Sequence, residues 1–481
     1  MKRKKLVLIN PTLSNPLPGF PPLGLGYVAA LTPEHWDVEL IDENFELTTF
    51  RECDLVGLTG FTAMANRAYE VAQLFREKNI PVVMGGIHAS MMPQEALKHV
   101  DAVVIGEAES VWAEVIADAE AGTLKREYSG THTDLKGLVH PRRDLFSDKY
   151  FCDTVQTARG CPNDCDFCSV SQFNGFAYRQ RPVEEVLDEI ETLKKNFLFI
   201  VDDNIAGTGS RMQERAIALA RGMVERNLWR LWYGQAALNI ADNEEVLRAC
   251  NESGCILFLM GIEAEDPEVL RSMNKTVNIR RDYEETFGRI HKHHIGIHGS
   301  LIFGTDDDTV EMLQKRLDFA VESGIDVIQF CTLTPYPGTK LFDRMLAEGR
   351  LLYTNFPADW DRYDLTEILV KPRKMEVDEY RAVMRKIGDE LFSLKSVVQR
   401  FFRSLIETGS VVTAFWCFVT NRLYRAPRDL RGQPGDKFWY LTPETWPFSV
   451  IMSSEMESHR KRYLQRSKRS ATGDRRTDHE R

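Results

Sequence analysis

The sequence lacks any long apolar run. None of its 481 residues belongs to a stretch of roughly 20 apolar residues, the length that a membrane-spanning helix needs, and the nearest candidate is the uncharged stretch 408–421. The basic N-terminus leads into an apolar run that stops at Asn10 and Pro11, with no small-residue cleavage site after it. That run therefore predicts a first β-strand and not a signal peptide.

The sequence also lacks an excess of positive charge and a disulfide pattern. Its 61 Lys and Arg against 71 Asp and Glu give a net charge of −10, which predicts no nucleic-acid partner. The nine cysteines have no framework-like spacing, so we expect a reducing, cytoplasmic location. Repeats and low-complexity tracts are missing too. A composition of 43% hydrophobic and 27% charged residues is typical of a globular protein with two or three domains.

What the sequence does contain is a cysteine motif. Residues 157–169 read TARGCPNDCDFCS, which places Cys161, Cys165 and Cys168 in the spacing C-x-x-x-C-x-x-C. Thiolates bind iron–sulfur clusters, zinc or copper, and a tetrahedral zinc site needs a fourth ligand. Three thiolates can instead bind three irons of a [4Fe–4S] cube and leave the fourth iron open to a substrate or cofactor. The spacing therefore favours a reactive cluster, and the alternative is a structural zinc site that borrows Cys152 or a histidine.

This motif resembles the cluster loop of the radical SAM superfamily, including Phe167 just before the third cysteine. The resemblance implies that the open iron chelates the amino and carboxylate groups of S-adenosylmethionine. It also implies that one electron from the cluster cleaves a C–S bond to give a 5′-deoxyadenosyl radical. An electron donor such as flavodoxin or ferredoxin is then an expected partner.

Residues 1–125 alternate short apolar runs with amphipathic segments. Continuous apolar runs between helices predict a doubly wound, Rossmann-like parallel sheet whose ligands bind beyond the carboxyl ends of the strands. The predicted strands are 6–10, 38–42, 55–60, 82–86 and 102–106. The sequence 24–29 matches the dinucleotide fingerprint G-x-G-x-x-A, but a proline-rich loop separates it from the first strand. The fingerprint must follow its strand directly, so it does not predict an NAD site.

The segments PPLGLGYVAA, VELIDE, GGIHAS and DAVVIGEAE of this region resemble the cobalamin-binding domain fused to many radical SAM enzymes. The resemblance implies that Pro22, Thr59, Gly85 and Gly86 contact the corrin. The cobalt-ligand motif D-x-H-x-x-G is absent, and His88 is the histidine that a strand-end loop offers, so the lower cobalt ligand stays open. The alternative is a Rossmann-like domain without a cofactor.

After a predicted linker at 126–149, residues 150–345 again alternate strands with helices. Six such units predict a partial (β/α)6 barrel of the TIM type, with its site at the carboxyl ends of the strands. The predicted strands are 154–158, 197–201, 231–237, 256–261, 297–303 and 327–333.

The resemblance to the radical SAM core gives roles to residues that follow these strands. It implies that Asp202 and Asp203 lie near the amino group of methionine, that Glu263 contacts the ribose hydroxyls, and that Gly304 lies near the adenine. Gln235 is a further candidate for cofactor binding. The alternative for the two aspartates is an ordinary strand-end or helix-capping role.

The C-terminal region changes character. Residues 346–455 are predicted to be helical, with an apolar stripe through 397–406. This predicts a helical cap on the barrel, and the alternative is a surface for an apolar substrate or a peripheral membrane contact. Residues 456–481 are predicted to be a basic, disordered tail.

Together these features predict a cobalamin-binding radical SAM enzyme. Its expected cofactors are a [4Fe–4S] cluster, S-adenosylmethionine and cobalamin, and its expected reaction is C-methylation of an unactivated carbon in a small, apolar lipid, isoprenoid or tetrapyrrole. Radical cyclisation or oxidation, as in the anaerobic magnesium-protoporphyrin monomethyl ester cyclases, is the alternative within this class. A non-catalytic sensing module is the alternative outside it, and its closed cluster would need Cys152 as the fourth ligand.

Overall fold

The computed structural model describes residues 3–12, 20–207 and 209–424. The predicted basic tail at 456–481 and the last part of the predicted helical region lie outside these residues. No helix within the described part of the chain is long and apolar enough to cross a membrane.

The first sheet has six parallel strands, where five were predicted. Its order is β2-β1-β3-β4-β5-β6. The strands are β1 (Lys4–Asn10), β2 (Trp36–Asp42), β3 (Leu55–Leu58), β4 (Val82–Met84), β5 (Ala102–Ile105) and β6 (Glu127–Ser129). Strand β6 lies within the segment that the sequence predicted as a linker, so this segment is partly structured. A run as short as β6, with only its central Tyr128 buried, has no apolar pattern to reveal it.

Side chains alternate between the two faces of this sheet. Leu6 and Leu8 of β1 belong to one buried apolar cluster and Val7 and Ile9 to another, as the period of two in a strand requires. Helices cover both faces, which confirms the doubly wound architecture. The order of the strands reverses between β1 and β3, and this switch point is where such sheets bind ligands.

The second sheet contains the six strands predicted for the partial barrel. All its neighbouring strands are parallel, and they follow in chain order. They are β7 (Asp153–Val155), β10 (Phe197–Ile200), β11 (Leu231–Gln235), β12 (Cys255–Glu263), β13 (Gly296–Phe303) and β14 (Val327–Thr332). Two short antiparallel strands, β8 (Ala158–Arg159) and β9 (Arg179–Gln180), enclose the cysteine motif.

Sixteen helices connect and cover the two sheets in the described part of the chain. They are α1 (Leu23–Leu31), α2 (Ala65–Arg76), α3 (Gly86–Met91), α4 (Pro93–Ala96), α5 (Trp112–Ala121), α6 (Val170–Asn174), α7 (Val183–Glu191), α8 (Ser210–Glu225), α9 (Glu244–Glu252), α10 (Pro267–Ser272), α11 (Tyr283–Lys292), α12 (Val310–Glu322), α13 (Lys340–Ala347), α14 (Val377–Leu391), α15 (Leu394–Thr408) and α16 (Val411–Tyr424).

The uncharged stretch near residue 415 forms α16, which packs on the second sheet. Its residues Val412, Phe415 and Cys417 share a buried cluster with Phe199 and Tyr233. Neighbouring residues of these strands point to the opposite face, where α7, α8 and α9 lie. Helix α16 therefore covers the interior face of the barrel. The apolar stripe on α15 differs, because Phe402 and Ile406 are exposed there.

Candidate functional site

A cavity of about 1340 Å3 lies at the carboxyl ends of both sheets. Three parts of the chain form its walls: the strand ends of the first sheet, the second sheet with the residues on either side of the three cysteines, and a C-terminal segment at 361–366. Lining residues from the first wall include Asn10 and Thr59, and those from the second include Phe199 and Asp203. The two sheets thus share one site.

The first wall contains four of the five residues predicted to contact the corrin. Pro22, Thr59, Gly85 and Gly86 all line the cavity. Gly86 has a φ of +87°, and a Cβ atom at this position would lie 2.6 Å from Thr59 Oγ1. Only glycine suits this backbone conformation and this close approach.

Glycine also keeps the wall flat near helix α1. Gly24 lines the cavity, and a Cβ atom there would meet no atom within 4 Å, so any side chain would project into open space. Gly26, the second glycine of the apparent dinucleotide fingerprint, instead packs beneath Phe146, whose ring would lie 2.6 Å from an added Cβ. A roomy cavity with a glycine-lined wall fits a flat macrocycle such as the corrin of cobalamin.

His88, the fifth predicted residue, lies outside the cavity lining. It is fully buried, and its Nε2 lies 2.9 Å from the hydroxyl of Tyr69 and 3.4 Å from Glu95 Oε1. Its Nδ1 lies 3.4 Å from Thr62 Oγ1. The imidazole therefore ties α2 to the α3–α4 segment, and this position does not support a cobalt-facing role. Helix α3 begins at Gly86 and turns the side chain of His88 into the core.

The cysteine loop is held in place by backbone hydrogen bonds. The Cys161 amide donates to the Gly175 carbonyl at 3.2 Å, and the Cys168 amide donates to the Cys165 carbonyl at 3.1 Å. Gly160 enters the loop with a φ of +91°, and a Cβ there would lie 2.2 Å from the carbonyl oxygen of Ala177. The loop is therefore fixed before any ligand binds.

The three cysteines suit an iron–sulfur cluster. All nine cysteines of the described residues are free thiols, so Cys161, Cys165 and Cys168 are available as ligands. In the described part of the chain no three side chains converge on a single metal ion. A cube needs no such convergence, because each thiolate binds a different iron. This donor set therefore fits a [4Fe–4S] cluster with one open iron.

Cys152 is poorly placed to serve as a fourth ligand. It precedes β7, whereas the cysteine loop follows the carboxyl end of the same strand. Its side chain packs in the apolar cluster of Phe197 and Trp229, and burial raises its pKa. The structure thus does not support the zinc or closed-cluster alternatives that depend on Cys152.

Phe167, between the second and third cysteines, packs against the buried cluster that contains Leu341 and Phe342 of α13. It therefore anchors the loop to this apolar cluster.

The two adjacent aspartates occupy different environments. Asp202 is fully buried and accepts hydrogen bonds from the amides of Thr157 at 2.5 Å and Ala158 at 3.0 Å, so it holds the strand that leads into the cysteine loop. Asp203 lines the cavity and accepts from Asn174 Nδ2 at 3.1 Å. Burial raises the pKa of Asp203 to about 6. Of the two, Asp203 has the position that a contact with a bound ligand requires.

Glu263 ends β12 at an irregular register with β13. Its backbone has a φ of +67°, an uncommon conformation that in non-glycine residues often accompanies functional sites. Its Oε1 accepts a hydrogen bond from Lys275 Nζ at 3.1 Å. Lys275 was not identified from the sequence, where a single lysine after a helix carries no signal.

Gly304 and Gln235 do not line the cavity. A Cβ at Gly304 would lie 1.8 Å from the hydroxyl of Tyr380, which donates to the Phe303 carbonyl, so this glycine admits the packing of α14. Gln235 is partly buried at the end of β11, and its backbone carbonyl accepts a hydrogen bond from the Ile205 amide. The predicted contact of Gly304 with the adenine and the predicted role of Gln235 in cofactor binding therefore remain predictions.

A buried charge network was predicted only in part, since the sequence singled out Arg179 as a contact for the cofactor carboxylate or for nearby acids. Glu107 and Glu109 from the first sheet bind Arg159 and Arg179, which flank the cysteine loop. Glu107, Glu109 and Arg159 line the cavity. The available signal was position, because Glu107 lies two residues after the end of β5 and Arg159 precedes the first cysteine of the motif by two residues.

Comparison with known proteins supports both halves of this site. The B12 binding domain family matches residues 13–116, and the radical SAM superfamily matches residues 155–320. The bacteriochlorophyllide d C-12(1)-methyltransferase of Chlorobaculum tepidum is 30% identical over 84% of this chain and 89% of its own length. The bacteriochlorophyllide d C-8(2)-methyltransferase of the same organism is 26% identical over 79% of this chain and 87% of its own length.

Among solved structures, the fold resembles the radical S-adenosylmethionine methyltransferase TsrM from Kitasatospora setae, solved with cobalamin and a [4Fe–4S] cluster. The TM-score is 0.62 at 17% identity, over 98% of this chain and all of TsrM. The matched segments coincide with the two walls described above. The chain therefore belongs to the radical SAM enzymes that carry a B12-binding domain, whose cofactors are cobalamin, S-adenosylmethionine and a [4Fe–4S] cluster.

Proposed function

We propose that this enzyme methylates an unactivated carbon atom of an apolar, tetrapyrrole-type small molecule. One observation carries the proposal: the predicted corrin wall and the residues on either side of the three cysteines, Arg159 and Ser169, line the same cavity of about 1340 Å3. A methyl donor on one side and a radical source on the other can then act on the same substrate carbon without its release.

The second and third walls support a flat, apolar substrate. Aromatic side chains line the cavity away from the glycine-rich wall, among them Phe199, Phe330, Tyr336 and Tyr363. The ring of Phe199 is held in place by two other rings of the protein, since its centroid lies 4.4 Å from that of Tyr233 and 4.3 Å from that of Phe20. Aromatic faces stack on flat rings. Both methyltransferases of Chlorobaculum tepidum are named for a bacteriochlorophyllide, which favours a tetrapyrrole over a lipid.

The residues of this chain would exclude water and hold the reactants. The bound cofactors supply the substrate radical and the transferred methyl group. The aromatic wall keeps the cavity dry, the glycine-lined wall allows close approach, and Asp203 offers a carboxylate beside the cysteine loop. Two electrons are needed per turnover, so we propose a flavodoxin or ferredoxin as donor and, given the nine reduced cysteines, a cytoplasmic location.

The test is anaerobic reconstitution with iron, sulfide and cobalamin, followed by S-adenosylmethionine, dithionite and bacteriochlorophyllide d. We expect four irons per chain, 5′-deoxyadenosine and S-adenosylhomocysteine in similar amounts, and a product with one added methyl group. Cys165→Ala should lose 5′-deoxyadenosine, because a cluster ligand is missing. Gly24→Leu should keep some 5′-deoxyadenosine but lose bound corrin and the methylated product, because its side chain fills the cavity.

Gly288→Leu is the matched control. Gly288 is also a helical glycine with no atom within 4 Å of an added Cβ, but it lies on α11, away from the cavity. Deoxyadenosine formation by the Cys165→Ala protein, or full corrin retention in Gly24→Leu, would contradict the proposal. A cyclised or oxidised product without the extra methyl group would favour the cyclase alternative.

A further inference from the structure

The turn after helix α10 is attached to the cysteine loop. The Asp166 amide donates to the Met273 carbonyl at 3.1 Å, and Asn274 Nδ2 donates to the Asp164 carbonyl at 2.6 Å. Asp164 and Asp166 lie between and beside the cysteines in the sequence. These two hydrogen bonds fix the backbone of the turn, and Lys275, the next residue, therefore lies beside the cysteine loop.

The side chain of Lys275 is buried and paired. It is 14% exposed, and its ammonium group donates to Glu263 Oε1 at 3.1 Å, while the carboxylate side chain is 6% exposed. The pair fills the space above Gly261, where an added Cβ would lie 2.8 Å from Lys275 Nζ and 2.3 Å from Glu263 Oε1. A glycine at this position is therefore needed for the ion pair to fit.

The charge of Lys275 lies beside the cysteine loop. Asn274, the residue before it, contacts the loop between Cys161 and Cys165, and Met273 contacts it between Cys165 and Cys168. A charge inside the protein is weakly screened, so its interaction with a neighbouring charge is several times stronger than at the surface. Lys275 is thus a fixed cation beside the loop that contains all three predicted cluster ligands.

We propose that Lys275 is a positioning residue that raises the reduction potential of the cluster, with Glu263 holding its ammonium group in place. Reduction adds negative charge to the cluster, and a buried cation stabilises the reduced form more than the oxidised form. Net charge and solvent exposure are established determinants of such potentials. This inference rests on the proposed function, because it presumes that the three cysteines bind a [4Fe–4S] cluster.

The experiment is a redox titration of the reconstituted protein, followed by the electron paramagnetic resonance signal of the reduced cluster, without S-adenosylmethionine. Lys275→Met removes the charge and keeps most of the side-chain length. We expect a more negative potential, with at least a tenfold lower ratio of reduced to oxidised cluster at a fixed solution potential, which corresponds to 59 mV for one electron. Lys275→Arg should restore most of the wild-type potential.

Lys340→Met is the matched control. Lys340 also forms an ion pair beside the cysteine loop, with Asp164, but its side chain is 52% exposed. Water and salt screen such a charge, so we expect this variant to keep the wild-type potential.

Glu263→Gln provides a test of opposite sign. This nearly isosteric change removes a negative charge and leaves the lysine, so the potential should become more positive. A disturbance of the fold would not move the two variants in opposite directions. If Lys275→Met does not retain its iron, the sign of the potential shift in Glu263→Gln still tests the inference.

An unchanged potential in Lys275→Met with a full complement of iron, an equal shift in Lys340→Met, or no positive shift in Glu263→Gln would each overturn the inference. A wild-type protein without four irons would instead contradict the proposed function on which it rests.

Discussion

Among single residues, His291 is the clearest case of a buried charge that depends on pH. Its side chain is 5% exposed, with Nε2 2.9 Å from Asp326 Oδ2 and Nδ1 3.0 Å from Glu407 Oε2. It therefore joins helix α11 to the start of β14 and to α15. Burial lowers the pKa of this imidazole, but the two carboxylates outweigh burial and raise it to about 9.

This pKa predicts how stability varies with pH. The folded-state pKa lies above the ordinary value of about 6.5, so the stabilisation is complete below pH 6.5 and is lost as the pH rises through about 9. Since one pKa unit corresponds to about 1.4 kcal/mol, the protonated ring contributes on the order of 3 kcal/mol. We expect His291→Gln to remove most of the loss of thermal stability between pH 6.5 and pH 9.5.

The measurement is the unfolding midpoint across this pH range, with His140→Gln, at an exposed position, as the control. A His291→Gln protein that keeps the wild-type dependence on pH would show that other groups are responsible.

Single residues also show where inference from the sequence stops. Asp202 and Asp203 are adjacent and were given the same predicted role, yet one supports the backbone of the cysteine motif and the other lines the cavity. Successive side chains after a strand point in different directions. Which of the two reaches the site therefore depends on where the strand ends, and no residue pattern records that.

Among the elements, α16 is the one whose role the sequence left open. Its apolar residues suited a helical cap, a substrate surface or a membrane contact. In the structure Phe415 is 8% exposed and packs on the interior face of the second sheet. Asn421 Nδ2 donates to the Asp326 carbonyl at 2.8 Å, which fixes the helix along its axis. This placement supports the cap.

A comparison of two phenylalanines tests this placement. We expect Phe415→Ala to lower the free energy of unfolding by about 3–5 kcal/mol, because it removes a large buried side chain and leaves a cavity. Phe402→Ala on the neighbouring α15 is the control, since that side chain is 56% exposed and its loss should cost less than about 0.5 kcal/mol.

Denaturant unfolding of both variants measures the difference. Equal effects of the two substitutions would mean that α16 does not cover the barrel interior as described.

At the scale of the whole molecule, a charge network joins the two sheets beside the cavity. Arg179 Nη1 lies 3.0 Å from Glu107 Oε2, and Arg159 Nη1 lies 3.3 Å from the same oxygen. Arg159 Nη2 also donates to Glu109 Oε1 at 2.6 Å. The two glutamates follow β5 and the two arginines flank the cysteine loop, so this network holds the corrin wall against the cluster wall.

Removing the central carboxylate should therefore separate the two walls. Glu107→Ala leaves two nearly buried guanidinium groups without their shared partner, and breaking such a pair costs about 3–5 kcal/mol. We expect faster amide hydrogen exchange in the cysteine loop and weaker retention of cobalamin.

Glu114→Ala is the control, since Glu114 lies on the same domain but is 49% exposed and pairs with the exposed Lys125. Unaltered exchange in the cysteine loop of Glu107→Ala would show that the network does not couple the sheets.

The sequence by itself determined the features that depend on neighbouring residues. Continuous apolar runs located five of the six strands of the first sheet and all six strands of the second. A strand that is buried on both faces must be apolar throughout, so its sequence is easy to recognise. The cysteine motif was equally readable, since its spacing within one loop is a property of the chain. Strand β6 was missed because three residues with one buried side chain form no such pattern.

Only the tertiary structure decided which distant residues meet. It turned His88 into the core, separated Asp202 from Asp203, placed α16 inside the barrel, and brought Lys275 to the cysteine loop and Arg159 to Glu107. Each of these outcomes depends on the register of strands and on the packing of segments that are far apart in sequence. Local pattern shows which residues are apolar, charged or small, but the direction of a side chain and its partners follow from the packing of the complete fold.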